Sequence, residues 1–181
     1  VPFLFPPSWF CSNRFKKGDE VWLVATTNAE NTSPGNSNLG IYAFDVTYLG
    51  TEAGVEYVPT PGDVYKLDIG LEKFSSKFFY FSALKKSDNS VAPLENPPKA
   101  TWSSDYPGYW VKGATGKEDY VIFKSENKTD GYLFDQACAG DYKSVIAFKA
   151  PTEGKYNIYF KGNKYQWKAE SVLDVSLMRT G

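Results

Sequence analysis

The sequence predicts an all-β chain folded as an antiparallel two-sheet β-sandwich of jelly-roll type, and three observations lead there. Aromatic residues make up 17% of the chain, with thirteen Tyr, thirteen Phe and five Trp against one Met; that profile suits pleated sheets. Runs of alternating apolar and polar residues recur along the chain, separated by Gly, Pro, Asn and Ser turn signals, giving about ten short strands and no helical stripe. The stretch Lys143–Lys161 reads KSVIAFKA, then PTEG, then KYNIYFK. In its second arm Tyr156, Ile158 and Phe160 alternate with Lys155, Asn157, Tyr159 and Lys161. We read it as a hairpin whose turn starts at Pro151 and closes at Gly154, with an apolar face that needs a second sheet to cover it. The whole of 1–181 is expected to form one domain, since sandwiches of this size need not divide.

In chain order, residues 1–19 read as an irregular segment packed on the sandwich, with Phe3, Phe5, Trp9 and Phe10 as its anchors. Glu20–Thr26 is apolar on both faces and is expected to be a central strand. A polar loop, TNAENTSPGNSNLG, precedes Ile41–Leu49, where Tyr42, Phe44, Val46 and Tyr48 share one face opposite Asp45 and Thr47. Val55–Val58 and Val64–Ile69 flank the turn TPGD, and Phe74–Leu84 is the most aromatic strand. Residues 85–108 hold Pro93, Pro97, Pro98 and Pro107 and are expected to be irregular. Tyr109–Lys112, Tyr120–Ser125 and Tyr132–Asp135 follow, then the 143–161 hairpin, then Tyr165–Lys168 and Val172–Met178.

Composition excludes several function classes. Twenty basic and 21 acidic residues are well mixed, giving a formal charge of −1. No basic run exists to track a phosphate backbone, so nucleic acid is not an expected partner. No apolar stretch reaches the roughly 18 residues of a membrane-spanning helix. The start, VPFLFPPSWF, is broken by prolines and lacks a basic region, so it reads as a trimmed chain rather than a signal peptide. Histidine is absent, which removes Ser-His and Cys-His nucleophiles and most zinc sites. No phosphate-binding glycine loop occurs. Two cysteines allow one disulfide, Cys11–Cys138, which by loop entropy would stabilise the fold by roughly 4–5 kcal/mol. Two separate thiols are the other reading.

What remains is aromatic chemistry. Trp102, Tyr106, Tyr109 and Trp110 fall together in TWSSDYPGYW, stiffened by Pro107. A flat π face stacks on a pyranose ring because the sugar's C–H bonds meet its electron-rich surface, and a rigid platform loses little entropy on binding. Tyr165 and Trp167 share a face of YQWK and form a second candidate platform. Closing the ends of the sandwich is the competing role for all six. Carboxylate-pair hydrolysis is a further option, with Glu20, Asp45, Glu56, Asp105 and Glu118 as candidate acids that nothing in the sequence pairs.

The stretch from Lys143 onward resembles the closing part of β-sandwich carbohydrate-binding modules of secreted polysaccharide-degrading enzymes. AFKAPTEGKYNIYFKG and VLDVSLMRT carry that resemblance. It implies an extracellular, non-catalytic polysaccharide binder within a larger multi-domain protein and without a cofactor; in some of those families an acidic residue of the last strand helps hold a structural calcium, and Asp174 is the matching position. Phe148, Ala150, Pro151, Gly154 and Tyr156 also resemble the F-x-A-P-x-x-G-x-Y pattern of complement and tumour-necrosis-factor jelly-roll heads. That likeness implies fold alone. A cell-surface adhesin or structural head that binds protein, and a small glycoside hydrolase or lyase, are the alternative functions.

Overall fold

The computed structural model describes residues 8–27, 37–51, 63–67, 69, 78–92, 108–110, 121–126, 132–137, 142–166 and 173–180. Its strands are β1 (Ser8–Phe15), β2 (Glu20–Thr27), β3 (Ser37–Gly50), β4 (Val64–Lys66), β5 (Phe79–Lys85) and β6 (Val91–Ala92), followed by β7 (Gly108–Trp110), β8 (Val121–Glu126), β9 (Tyr132–Ala137), β10 (Tyr142–Lys149), β11 (Gly154–Gln166) and β12 (Leu173–Thr180). No helix occurs among the described residues.

Two antiparallel sheets carry them. The larger has the order β1-β11-β3-β9-β8-β7, with β4 beside the second half of β3; the smaller has the order β12-β2-β10-β5-β6. The late strand β11 returns between β1 and β3, and β10 returns between β2 and β5. This interleaving of early and late strands is the double Greek key of a jelly roll. The expected fold class holds.

The expected hairpin does not. β10 pairs with β2 and β5, whereas β11 pairs with β1 and β3, so no ladder joins the two arms. Residues 151–153 carry the chain from one sheet to the other. Alternation shows which side of a strand is apolar and is silent about which strand lies beside it. Phe148 and Tyr156 therefore meet across the sandwich, ring centroids 5.9 Å apart, and the Tyr156 hydroxyl donates to the Thr152 carbonyl at 2.9 Å to hold the corner. Gly154 is required for space rather than for turning. Its φ of 159° is essentially extended, but a Cβ there would overlap the Tyr48 ring and come within 2.9 Å of the Gly50 carbonyl oxygen.

Between the sheets lies the main core. Leu23, Phe79, Phe81, Ile146 and Phe148 from the smaller sheet meet Ile41, Phe44, Val46, Tyr48, Tyr156 and Ile158 from the larger. Phe79 packs edge-on or tilted against Phe44 and Phe148, with centroids 5.4 and 5.2 Å apart, the geometry aromatic quadrupoles favour. Burying each such ring contributes roughly 1.5–3 kcal/mol.

Several elements differ from expectation for identifiable reasons. Residues 8–15 form edge strand β1 instead of an irregular segment, paired with β11 along its length. Exposed Ser12, Asn13 and Arg14 conceal the strand from a hydrophobicity pattern. In β3, register shifts opposite Lys155/Tyr156 and Lys161/Gly162 insert extra residues. One leaves Leu49 39% exposed, while the other turns Tyr42 off the core face and puts Ile41 there. β11 continues through Gly162 to Gln166, so Tyr165 does not begin a separate strand. Val91–Ala92 form β6 within the stretch expected to be irregular; Asn89 takes a φ of 56°, and Asp88 accepts the Ser90 N–H at 2.9 Å. Val55–Val58 and Phe74–Ser76 lie outside the described residues.

Candidate functional site

The outer face of the smaller sheet carries a second apolar cluster, separate from the core. Val24, Leu84, Val145 and Ala147 are its buried members, with Trp22 and Tyr80 packed against them. Alternation puts them there: Val21, Leu23 and Ala25 take the inner side of β2, leaving Trp22 and Val24 on the outer. Register then aligns Met178, Trp22, Ala147 and Tyr80 in one row across β12, β2, β10 and β5.

Ala147 is the gap in that row. Trp22 and Tyr80 flank it from strands roughly 10 Å apart, and Ala147 has no accessible surface. Glu20 holds both aromatic side chains. Its Oε2 accepts the Trp22 indole N–H at 2.8 Å and the Tyr80 hydroxyl at 2.6 Å. Burial, and then the bond to the Glu20 carboxylate, push the Tyr80 phenol well above the usual tyrosine range. It therefore stays a neutral donor at any physiological pH. Both aromatic residues are half-buried and their polar atoms are tied down, while Met178 at the sheet edge is 45% exposed. The arrangement is an aromatic surface braced by a carboxylate. Braced rings bind a flat apolar face with little further loss of side-chain entropy.

The residues singled out from sequence are distributed differently. Trp102, Tyr106 and Trp167 lie outside the described residues. Tyr109 and Trp110 lie on β7, which ends the larger sheet, their backbones paired with Phe123 and Ile122. Tyr165 pairs with Asn38 near the end of β11, within the larger sheet. Cys11 is a half-buried free thiol whose pKa burial raises; Cys138 lies outside the described residues. Asp174 is exposed on edge strand β12, and no group of three Cys, Asp or Glu side chains converges among the described residues.

Of the candidate acids, Glu56, Asp105 and Glu118 also lie outside the described residues. Glu20 and Asp45 occupy opposite outer faces of the sandwich. Glu20 and Asp174 share a face but are six positions apart along β2, roughly 20 Å. That is at least twice the carboxylate separation that glycoside hydrolysis uses.

Sequence reasoning missed the Trp22–Glu20–Tyr80 group. Glu20 and Trp22 stand two apart in EVWLVAT, the spacing of one strand face. Tyr80, however, is embedded in FFYF, and its alliance with β2 depends on β10 inserting between them. Compared with protein-family models, with curated proteins and with solved structures, the chain matches none.

Proposed function

We propose that this protein is a non-catalytic carbohydrate-binding module, extracellular or at the cell surface, that recognises a polysaccharide through an aromatic face. The observation that carries this reading is the pair Trp22 and Tyr80, locked by one carboxylate on the outer side of a sheet. Core aromatics need no such brace, whereas a stacking platform gains affinity from one. Apolar sugar faces would lie against the rings, with Met178 extending the surface. The stretch with Trp102 and Tyr106, together with Tyr109 and Trp110 on β7, is a second candidate platform, as are Tyr165 and Trp167.

Titration with a panel of plant and microbial polysaccharides, followed by Trp fluorescence and by retarded migration in polysaccharide-containing gels, tests the reading. One stacked ring is expected to contribute about 1–2 kcal/mol, so Trp22→Ala or Tyr80→Ala should weaken binding roughly tenfold. Loss on Trp102→Ala and Trp110→Ala alone would move the site to the stretch that holds those two residues. Absence of binding to every glycan in the panel would refute the module reading.

A further inference from the structure

The apolar row on the outer face of the smaller sheet has a polar neighbour. Register sets Thr180, Glu20 and Lys149 side by side across β12, β2 and β10. Each stands two residues along its own strand from Met178, Trp22 or Ala147, so the two rows share a face and run parallel, roughly 7 Å apart. Glu20 joins them, because its Oε2 braces the Trp22 and Tyr80 side chains.

The remaining hydrogen-bonding capacity of the polar row is unused. Among the described residues, Glu20 Oε1, the Lys149 ammonium and the Thr180 hydroxyl make no hydrogen bond or ion pair. Lys149 is exposed, while Glu20 and Thr180 are half-buried. A carboxylate oxygen only accepts, an ammonium only donates, and a hydroxyl does both. Sugar hydroxyls also do both, so they suit all three groups. The charges of the row then decide the class of sugar. Glu20 and Lys149 stand directly opposite each other in the β2–β10 ladder, so their charges nearly cancel for a ligand lying along the row. A charged sugar gains from one what it loses to the other, and still gives up part of its own hydration. An uncharged sugar gives up less.

We propose that this double row selects an uncharged glycan, its ring faces on Trp22 and Tyr80 and its edge hydroxyls on Glu20 Oε1, Lys149 and Thr180. The inference rests on the reading of this face as a glycan platform and names the class of glycan that the platform takes. Lys149 and Thr180 determine specificity, whereas Glu20 serves both rows. The apolar row crosses four strands, roughly 14 Å, so successive sugar units of one chain touch both rows.

Calorimetric titration of the whole chain provides the test. Hexamers of glucose, mannose and xylose are the uncharged probes. Hexagalacturonate is the acidic comparison and hexaglucosamine the basic one, in mildly acidic buffer that keeps its amines charged. At least one uncharged hexamer should bind saturably, about tenfold tighter than either charged one. Lys149→Gln and Thr180→Val should each weaken that binding about fivefold, as losing one hydrogen bond does. Lys149→Gln, at an exposed position, should leave the urea midpoint unchanged, and Lys155→Gln, on the larger sheet, should leave binding unchanged. A charged hexamer that binds as tightly as the best uncharged one would overturn the proposal. So would equal affinity in the wild type and in both polar-row variants, or no binding of any hexamer. The platform reading fails separately, by absence of binding across the wider polysaccharide panel; a glycan whose affinity falls with Trp22→Ala keeps it standing.

Discussion

The two faces of the five-stranded sheet use the same strands to opposite purposes. On the inner face, Leu23, Phe79, Phe81 and Phe148 are buried because a second sheet lies on them. On the outer face Val24, Leu84, Val145 and Ala147 lie lowest, and Trp22 and Tyr80 pack against them. Inner rings contact other rings; outer rings are fixed through their polar atoms, by Glu20. Inner substitutions should therefore change stability and leave recognition alone, whereas outer ones should weaken recognition more than they weaken stability.

The largest effect is expected at Phe148, which is 1% exposed and touches Phe79, Tyr65 and Tyr156. Phe148→Ala should cost about 3–5 kcal/mol through lost burial and the cavity left behind. Urea unfolding would show it as a lower midpoint at unchanged slope. Gly154→Ala comes next. Its methyl group has no space beside Tyr48 and Gly50, and overpacking of this kind costs roughly 1–3 kcal/mol. A cost below 0.5 kcal/mol would mean that the corner yields and that close approach is not what requires glycine. On the outer face, Glu20→Gln keeps an acceptor but loses the charge on it, so about 1 kcal/mol of stability should go. Glycan affinity should fall further than stability does, because the braced rings are freed. Equal falls in both would remove the distinction between the faces.

Titration separates regions in a similar way. Asp19 is held below the usual aspartate range, chiefly by the Lys16 backbone N–H and then by the Arg179 guanidinium. Its folded pKa is depressed, so its contribution is present above the ordinary value of about 3.9 and is lost as pH falls through the folded one. Tyr80 and Tyr156 are displaced upward, above all by burial. Their contributions are complete below the ordinary tyrosine pKa of about 10 and fade as pH rises above it. Asp19→Asn should flatten the acid limb of the stability profile and leave the alkaline limb in place, as thermal unfolding across a pH series would show.

Much of the fold was legible in the sequence. Alternation in Lys155–Lys161 and apolarity on both sides of Glu20–Thr26 identified strands that must be covered, and two sheets cover them. Topology was less legible. The partner of a strand is chosen by chain crossings such as residues 151–153, and local alternation is the same for a hairpin arm and for a strand that crosses. The bulge that swaps Tyr42 for Ile41 is equally invisible, since it depends on the register with β11. The aromatic face was hidden by the same cause: Trp22 and Tyr80 are 58 positions apart in sequence and meet only because β10 brings Ala147 between them.

The smallest effect gives the sharpest contrast, because one chemical deletion should act with opposite sign at two sites. Tyr48 has no accessible surface, and among the described residues its hydroxyl is buried without a hydrogen-bond partner. The unfolded chain satisfies that hydroxyl with water, so folding leaves a desolvation cost that no contact offsets. Tyr48→Phe removes the cost while keeping the ring that packs on Tyr156 at 5.1 Å. A gain of about 1 kcal/mol is expected, reduced somewhat by the small void left by one oxygen. Tyr80→Phe removes the same atom where it donates to Glu20 at 2.6 Å. There a loss of about 1–2 kcal/mol is expected, because a charged acceptor keeps its desolvation and gives up a bond. Both values follow from urea midpoints at matched slopes. If Tyr48→Phe destabilises as much as Tyr80→Phe does, the Tyr48 hydroxyl is satisfied in solution, and the two faces handle their polar atoms alike.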